Sequence, residues 1–490
     1  MKNILPIKLK DGYKVGHKFQ YPADTTLIYS NLTPRGSRVE GIDGVVAFGF
    51  QYFIKEYLIN QFNRNFFSLS KEIAVKDYKR RIDNYLGPDT VPMSHIEDLW
   101  DLGYLPLCIK AVPEGTIVPF RVPVLTIRNT HDKFFWVTNM LETILSNLLW
   151  MPMTSATTAL LYRRTFERYA DFTGGSKEFI DWQGHDFSMR GMAGLEAACL
   201  SGAAHLLSFT GTDTIPAIDF LEEYYGANSD KELIGGSVPA TEHSVMSMGL
   251  EAGEQTTFNN LLNIYPDGIL SVVSDTWDLW EVIGSYLPAL KDKILARNGK
   301  LVIRPDSGDP ADIICGKNDS IEPDPVSFGV VECLWNIFGG TVNEKGYKTL
   351  DSHIGVIYGD SITPERQIEI LRRLADKGFA SDNVELGIGS YNYQYVTRDT
   401  FGFAMKATYG ETTSSGSQAI FKKPKTDDGL KDSAKGLLSV VKDHNGKISL
   451  LEDCSWADEG RGILQRIFYN GKLENETTLS EIRGRLKEQV

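Results

Sequence analysis

The side chains best suited to chemistry fall in short polar clusters along the middle of the chain. His185-Asp186-Phe187-Ser188-Met189-Arg190 precedes a run of small residues, Gly191 to Leu207, that reads as a helix. Arg190 would open that helix, where its charge adds to the amide dipole in holding an anion. A structural pair between Arg190 and Asp186 explains the spacing equally well. Asp213 stands between Thr212 and Thr214 after the strand-like Leu207–Phe209, a position that suits a helix cap as well as a ligand contact. Gly235 to Ser244 (GGSVPATEHS) delivers His243, beside the carboxylate of Glu242, to a helix start. Such a histidine can be a general base, a nucleophile or a metal ligand. No second histidine lies at ligand spacing, which disfavours a histidine-based metal site and leaves the metal ligands unknown. Neither a GxxxxGK[ST] phosphate loop nor a GxSxG elbow occurs.

Four more clusters each follow a short β-rich run. Ile269–Val273 leads into Ser274-Asp275-Thr276-Trp277-Asp278, and Leu301–Ile303 into Arg304-Pro305-Asp306-Ser307-Gly308-Asp309. Ile354–Tyr358 leads into Gly359-Asp360-Ser361, and Val384–Leu386 into Gly387-Ile388-Gly389-Ser390. Between the last two runs Pro364 to Lys377 reads as a helix, capped by Thr363 and closed by Gly378. Short buried strands alternating with helices predict a parallel α/β sheet. Ligands of such sheets bind beyond the carboxyl ends of the strands, where these Asp, Ser, Arg and Gly residues sit. One such loop is ordinary turn chemistry; four, rich in Arg and Asp, point to a shared site.

The flanks differ. Phe48 to Asn60 predicts an amphipathic helix and Trp136 to Trp150 a buried one. Ser155 is placed to cap a helix from Ala156 to Phe172, stopped by Gly174 and Gly175. After Arg398, the runs Phe401–Tyr409, Gln418–Phe421, Leu437–Val441 and Ile448–Leu451 predict antiparallel sheet in a separate lobe. Lys422, Lys423, Lys425, Lys431 and Lys435 form a basic stretch, a solvated loop or, beside an anion site, a phosphate lid.

Composition sets the frame. The chain has 490 residues, 42% hydrophobic and 23% charged, an ordinary globular balance. Its 51 basic against 64 acidic residues give a net charge of −13, which argues against a general nucleic-acid binder. A small anionic ligand is still compatible with that charge. Five scattered cysteines form no CxxC pair and predict neither a zinc ribbon nor a disulfide framework. No apolar run approaches the roughly 18 residues of a membrane span, and the opening segment lacks a signal-peptide core. The expectation is a cytoplasmic protein with no membrane partner.

Nine motifs together carry a family resemblance. DGYKVGH at 11–17, YPADT at 21–25, HDFSMRG at 185–191, GTDT at 211–214 and SVPATEHS at 237–244 are the first five. SVVSDTWD at 271–278, IRPDSGDP at 303–310, YGDSI at 358–362 and TRD at 397–399 complete the set. In order and spacing they resemble the nicotinamide phosphoribosyltransferase family. The resemblance implies an irregular α/β barrel, as in type II phosphoribosyltransferases, with an antiparallel β lobe built from both chain ends and a helical N-terminal part. Residues 1–35 would form the N-terminal part of the lobe and a trans active-site segment, 36–135 a mixed, mainly helical region, and 136–180 helices returning to the lobe. The barrel would span 181–397, and 398–490 would complete the lobe. The family is a homodimer with shared sites.

Further implications concern single residues. Phe187 and Tyr13, the latter from the partner subunit, resemble the faces that sandwich the pyridine ring. Asp213, with Arg190, resembles the carboxamide contact. Arg304, Asp306, Gly359, Asp360, Gly389 and Ser274 resemble ribose and phosphate contacts. Asp11, Arg35, Arg398, Lys406 and Lys431 resemble diphosphate or nucleotide-phosphate contacts, several in trans. His243 resembles a histidine phosphorylated by ATP, with Asp278 orienting its ring and Glu242 nearby. The implied reaction joins nicotinamide to 5-phosphoribosyl-1-diphosphate, with Mg²⁺ on the diphosphate. Ser390 and Tyr391 depart from the family's glycine run, Gly12 replaces a more usual Ser, and Met189 stands where Tyr is common. Nicotinate phosphoribosyltransferase is the nearest rival reading; a glycosidase using Asp306 and Asp360, or a ligand sensor without catalysis, are more distant ones.

Overall fold

The computed structural model describes residues 4–317, 324–426 and 432–489. The chain forms two compact units, Met1–Thr157 with Phe220–Ala227 and Val396–Val490, and Thr158–Asp219 with Asn228–Tyr395.

The second unit carries the predicted parallel sheet. Its strands lie in the order Gly184–Asp186, Glu385–Ile388, Ile354–Tyr358, Asn298–Arg304 and Asp267–Val273, all pairs parallel. Their apolar residues, among them Val272, Leu301, Ile303, Tyr358, Leu386 and Ile388, are buried, as in a sheet covered on both faces. Single bridges Asp186↔Thr212, Gly211↔Gly236 and Ala240↔Ser271 lead from one edge strand round to the other, so the sheet is curled. Because every pairing is parallel, the carboxyl ends share one rim. The helix Pro364–Asp376 starts where predicted, with Thr363 Oγ1 accepting from the Arg366 amide at 3.3 Å. It buries Ile370, Leu371 and Leu374 and gives way to Gly378, whose φ of 77° favours glycine.

The first unit holds a seven-stranded antiparallel sheet. Its order is Gly416–Ala419, Ala404–Thr412, Thr25–Thr33, Leu125–Asn129, Leu107–Ala111, Gln465–Tyr469 and Lys472–Leu473. The two ends of the chain thus interleave in one sheet. Ile28, Leu32, Ile109, Ile127 and Phe468 point into a core shared with Phe53, Leu58, Phe66 and Trp136.

Some local expectations fail. Ser155 caps nothing; it lies inside a 32-residue helix, Glu142–Thr173, that continues through Pro152. Proline removes an amide and costs about 3 kcal/mol in a helix interior. Here Leu148, Leu149, Met153 and Ala156 are all buried, and that burial keeps the helix going. Phe48–Asn60 is helical but not a regular α-helix: Phe50–Tyr52 is α and Phe53–Gln61 is wound as π. Leu207 lies in a turn, and the strand-like contacts fall instead at Gly211 and Thr212. The small-residue helix begins only at Leu195, so Arg190 does not open it but lies in a separate 3₁₀ turn, Met189–Gly191.

Candidate active site

The site grows from the short strand Gly184–Asp186. Side chains alternate along a strand, so His185 and Phe187, two apart, share a side; their rings lie 4.6 Å apart. The Phe187 amide donates to the Ile388 carbonyl at 3.1 Å, which fixes the ring beside the neighbouring strand. There the glycine at 387 is obligatory: a Cβ would sit 2.3 Å from Phe187 Cδ2. The Arg304 guanidinium lies 5.3 Å above the same ring.

Behind Phe187 runs a chain of charge. His185 Nε2 bonds Asp213 Oδ1 at 2.9 Å and His185 Nδ1 bonds Glu385 Oε1 at 3.1 Å. Burial alone would depress the imidazole, but its bonds to Asp213 and Glu385 outweigh burial and lift it from 6.5 to about 9. It is an imidazolium at neutral pH. Burial would raise the Asp213 carboxyl, yet His185, Ser237 and Arg304 hold it below its usual range. Ser237 Oγ donates to Asp213 Oδ1 at 2.8 Å, so both of these contacts use one oxygen.

Two cavities meet at Phe187, Asp213 and Arg304. One, of about 280 Å³, runs past His185, Ser237 and Trp182. The other, of about 810 Å³, is lined by Arg190, Asp306, Gly359, Asp360 and Gly389. Arg304 Nη2 lies 3.3 Å from Asp306 Oδ2, and Arg304 Nε is buried without a partner. A buried guanidinium with an unused N–H is suited to a forked acceptor such as phosphate.

At the adjoining strand end, His243 begins the helix His243–Met248, half exposed, with exposed Glu242 at the cap position and hydrogen-bonded to Ser244. Its Nε2 faces Asp275 Oδ1 at 3.4 Å. Asp278, expected to orient this ring, does not: its Oδ1 accepts the Trp280 and Glu281 amides at 2.8 and 3.2 Å, capping the next helix. Asp275 Oδ2 meanwhile accepts the Asp306 amide at 2.8 Å. Ser274 is likewise turned away from ligand: it is fully buried, and its Oγ donates to the Val272 carbonyl at 2.7 Å.

The remaining residues cluster in the first unit. Asp11, Tyr13 and Arg398 line a cavity of about 250 Å³ with Glu142, Thr143 and Trp150. Tyr13 is 64% exposed, with the His17 ring edge-on at 5.3 Å and Lys14 Nζ 5.0 Å from its centroid. Lys406 Nζ donates to the Met405 carbonyl at 2.8 Å, and Arg35 Nε to the Gly402 carbonyl at 2.9 Å. Burial lowers the Lys406 amine, Glu142 opposes this, and the charges of Arg35, Lys422 and Arg398 lower it further. Lys431 lies outside the described residues.

Sequence reasoning missed His185, Ser237 and Asp275 as site residues, and with them Arg366, which also lines the larger cavity. His185 had a signal, its period-two relation to Phe187 inside a motif already singled out. Asp275 had none, since the loop offers two aspartates and only the cap geometry separates them.

Residues 182–471 match the nicotinate phosphoribosyltransferase (NAPRTase) family, and residues 5–106 match the nicotinamide phosphoribosyltransferase N-terminal domain. The chain is 50% identical to a nicotinamide phosphoribosyltransferase of Acinetobacter baylyi, over 99% of this chain and 98% of that protein. It is 37% identical to one from Mycoplasma pneumoniae, over 81% of this chain and 88% of the relative. In fold it resembles the nicotinate-nucleotide pyrophosphorylase of Pyrococcus furiosus, with TM-score 0.57, 15% identity, and 99% and 94% of the two chains covered. Human nicotinic acid phosphoribosyltransferase is similar at TM-score 0.55 and 17% identity, over 98% and 93%. The chain belongs to the nicotinamide phosphoribosyltransferase family.

Proposed function

We propose that this enzyme transfers the phosphoribosyl group of 5-phosphoribosyl-1-diphosphate to nicotinamide, giving nicotinamide mononucleotide and diphosphate in NAD salvage. The observation that carries the reading is Asp213, whose Oδ1 is taken by His185 and Ser237 where two cavities meet, beside an aromatic face and a guanidinium. Its Oδ2 is then the acceptor for a carboxamide N–H, with the pyridine on Phe187. A carboxylate substrate would meet a carboxylate there and be repelled.

The chemistry follows from charge. As the C1–O bond loosens, positive charge grows on the sugar and negative charge on the leaving diphosphate. Arg304 and Arg190 hold the anion, and Phe187 and Asp213 hold the neutral base in line with C1. Asp306 and Asp360, carboxylates in an arginine-lined cavity, are a donor set that fits Mg²⁺ carried on phosphates. When bound, the ion neutralises the leaving group. His243 is the phosphoacceptor for ATP coupling, with Asp275 as the ring's partner. The curled sheet is read as the irregular barrel of type II phosphoribosyltransferases. The active enzyme is read as a homodimer in which Tyr13, Arg398 and their neighbours complete the partner subunit's site, in the cytoplasm.

Incubation with the diphosphate sugar and labelled nicotinamide or nicotinate tests the reading. Nicotinamide is expected to be used far better. Asp213→Asn should weaken its use by roughly tenfold to a hundredfold, the worth of a hydrogen bond to a charged group, and relax the rejection of nicotinate. Equal turnover of both bases by the unmutated enzyme would defeat it.

A further inference from the structure

The turn after the strand Glu385–Ile388 carries two aromatic rings that the transfer reaction leaves unused. Its inward residues pin it. Tyr393 is fully buried, its hydroxyl 2.7 Å from His205 Nδ1. Asn392 Nδ2 donates to the Ile362 carbonyl at 2.7 Å, and Gln394 Oε1 accepts the Ala193 amide at 2.7 Å. Tyr391 and Tyr395 face outward instead, 61% and 77% exposed. Tyr391 lies in the helical turn Ser390–Tyr393 and Tyr395 two residues beyond it. Their rings are stacked, 12° from parallel with centroids 5.2 Å apart.

Two tyrosines held in water forgo the burial that aromatic rings usually contribute to folding. Pinned by their backbone and by each other, they form a rigid, ready-made surface, the condition that lowers the cost of binding. Tyr391 also lines the larger cavity, together with Arg190, Arg304 and Arg366. A flat aromatic face at an arginine-lined pocket suits a nucleotide, with the base on the ring and the phosphates on guanidinium groups. The sugar diphosphate has no π face, and the pyridine is already assigned to Phe187. The remaining reactant with a large π face is ATP.

We propose that the Tyr391–Tyr395 pair is a stacking platform for the adenine base of ATP. The proposal rests on the ATP coupling read above and adds to it a base-recognition element at the edge of the phosphate cavity. Calorimetry on the full chain with Mg²⁺ tests it, using ADP and inorganic diphosphate as paired probes. Tyr391→Ala combined with Tyr395→Ala should weaken ADP by roughly tenfold or more, the loss expected for one stacked base, while diphosphate binds as before. Phe at both positions should restore ADP, since the rings return without their hydroxyls. An equal loss of both probes, or no loss of either, would overturn the platform. So would a fall in sedimenting mass in the Ala variant, which would assign the pair to a contact between copies of the chain. His243-dependent ATP hydrolysis is measured separately. If it is absent while ADP still depends on the rings, the platform stands as a nucleotide site and the coupling reading fails.

Discussion

Replacing His185 by Gln should remove an alkaline transition from the stability curve. His185 is 5% exposed and bonded to two carboxylates, and its imidazole is raised from 6.5 to about 9. A group raised on folding contributes stability in full below its unfolded value and loses it as pH climbs through its folded value. The contribution is therefore complete below about pH 6.5, declines through neutrality, and is gone once pH has passed through about 9. At about 1.4 kcal/mol per unit, the shift is worth on the order of 3 kcal/mol. Asp213 has 48% of its side chain exposed, so solvent screens part of that, and about 2 kcal/mol is the better expectation. Gln carries no charge at any pH, so the variant leaves both carboxylates without their cation and its deficit does not change with pH. Urea unfolding at intervals from pH 6 to 10 should show the wild type losing about 2 kcal/mol of stability relative to His185→Gln. Parallel curves for the two proteins would refute the imidazolium and with it the charge chain behind Phe187.

Other outcomes follow from the same geometry. Arg304→Lys keeps the charge but loses the fork and the stacking over Phe187, so the KM for the diphosphate sugar should rise at least about tenfold; normal saturation would make Arg304 merely structural. Gly387→Ala drives a Cβ to 2.3 Å from Phe187, which should destabilise the fold by about 1–3 kcal/mol and weaken nicotinamide binding, read by thermal melting and by KM. Co-expressed Tyr13→Ala and Asp213→Ala chains should regain roughly a quarter of normal sites through mixed dimers; activity no higher than the mean of the two homodimers would sink the shared site.

The parallel core was readable because its strands announce themselves. Four of the five are short β-rich runs followed by Ser, Arg or Gly, and the strand Ile354–Tyr358 matches its run residue for residue, whereas Gly184–Asp186 is too short and polar to be read as a strand. Of the seven antiparallel strands, only those near Phe401–Tyr409 and Gln418–Phe421 were readable as strands; Leu107–Ala111 and Gln465–Tyr469 were not, and nothing local says that they pair. The helix Glu142–Thr173 was read as two, Trp136 to Trp150 and Ala156 to Phe172, because sequence does not report the burial that carries one helix through Pro152. At the site, Phe187, Arg190, Arg304, Asp306 and Asp360 of the larger cavity were singled out by strand-end position and family resemblance, and Arg366 was not. Asp275 and Asp278 were confused because a carboxylate's role depends on which amides reach it first, a tertiary fact. His185 was quoted and passed over, since a histidine between two acids reveals itself only once the acids are brought together.

The sheet built from both chain ends also shapes how the molecule comes into being. Strand Thr25–Thr33 takes one neighbour from Leu125–Asn129 and the other from Ala404–Thr412. During synthesis it can pair on one side early and must wait for hundreds of further residues to pair on the other. Until then two sheet edges stand open, at Thr25–Thr33 and at Leu107–Ala111, each a template for another chain. Pairings so distant in sequence carry a high loop-closure cost and slow the final step of folding. Fragments ending before about residue 400 lack the strands that close these edges, so they should aggregate rather than accumulate as a soluble catalytic half. The last-made strands act as the seal on the first.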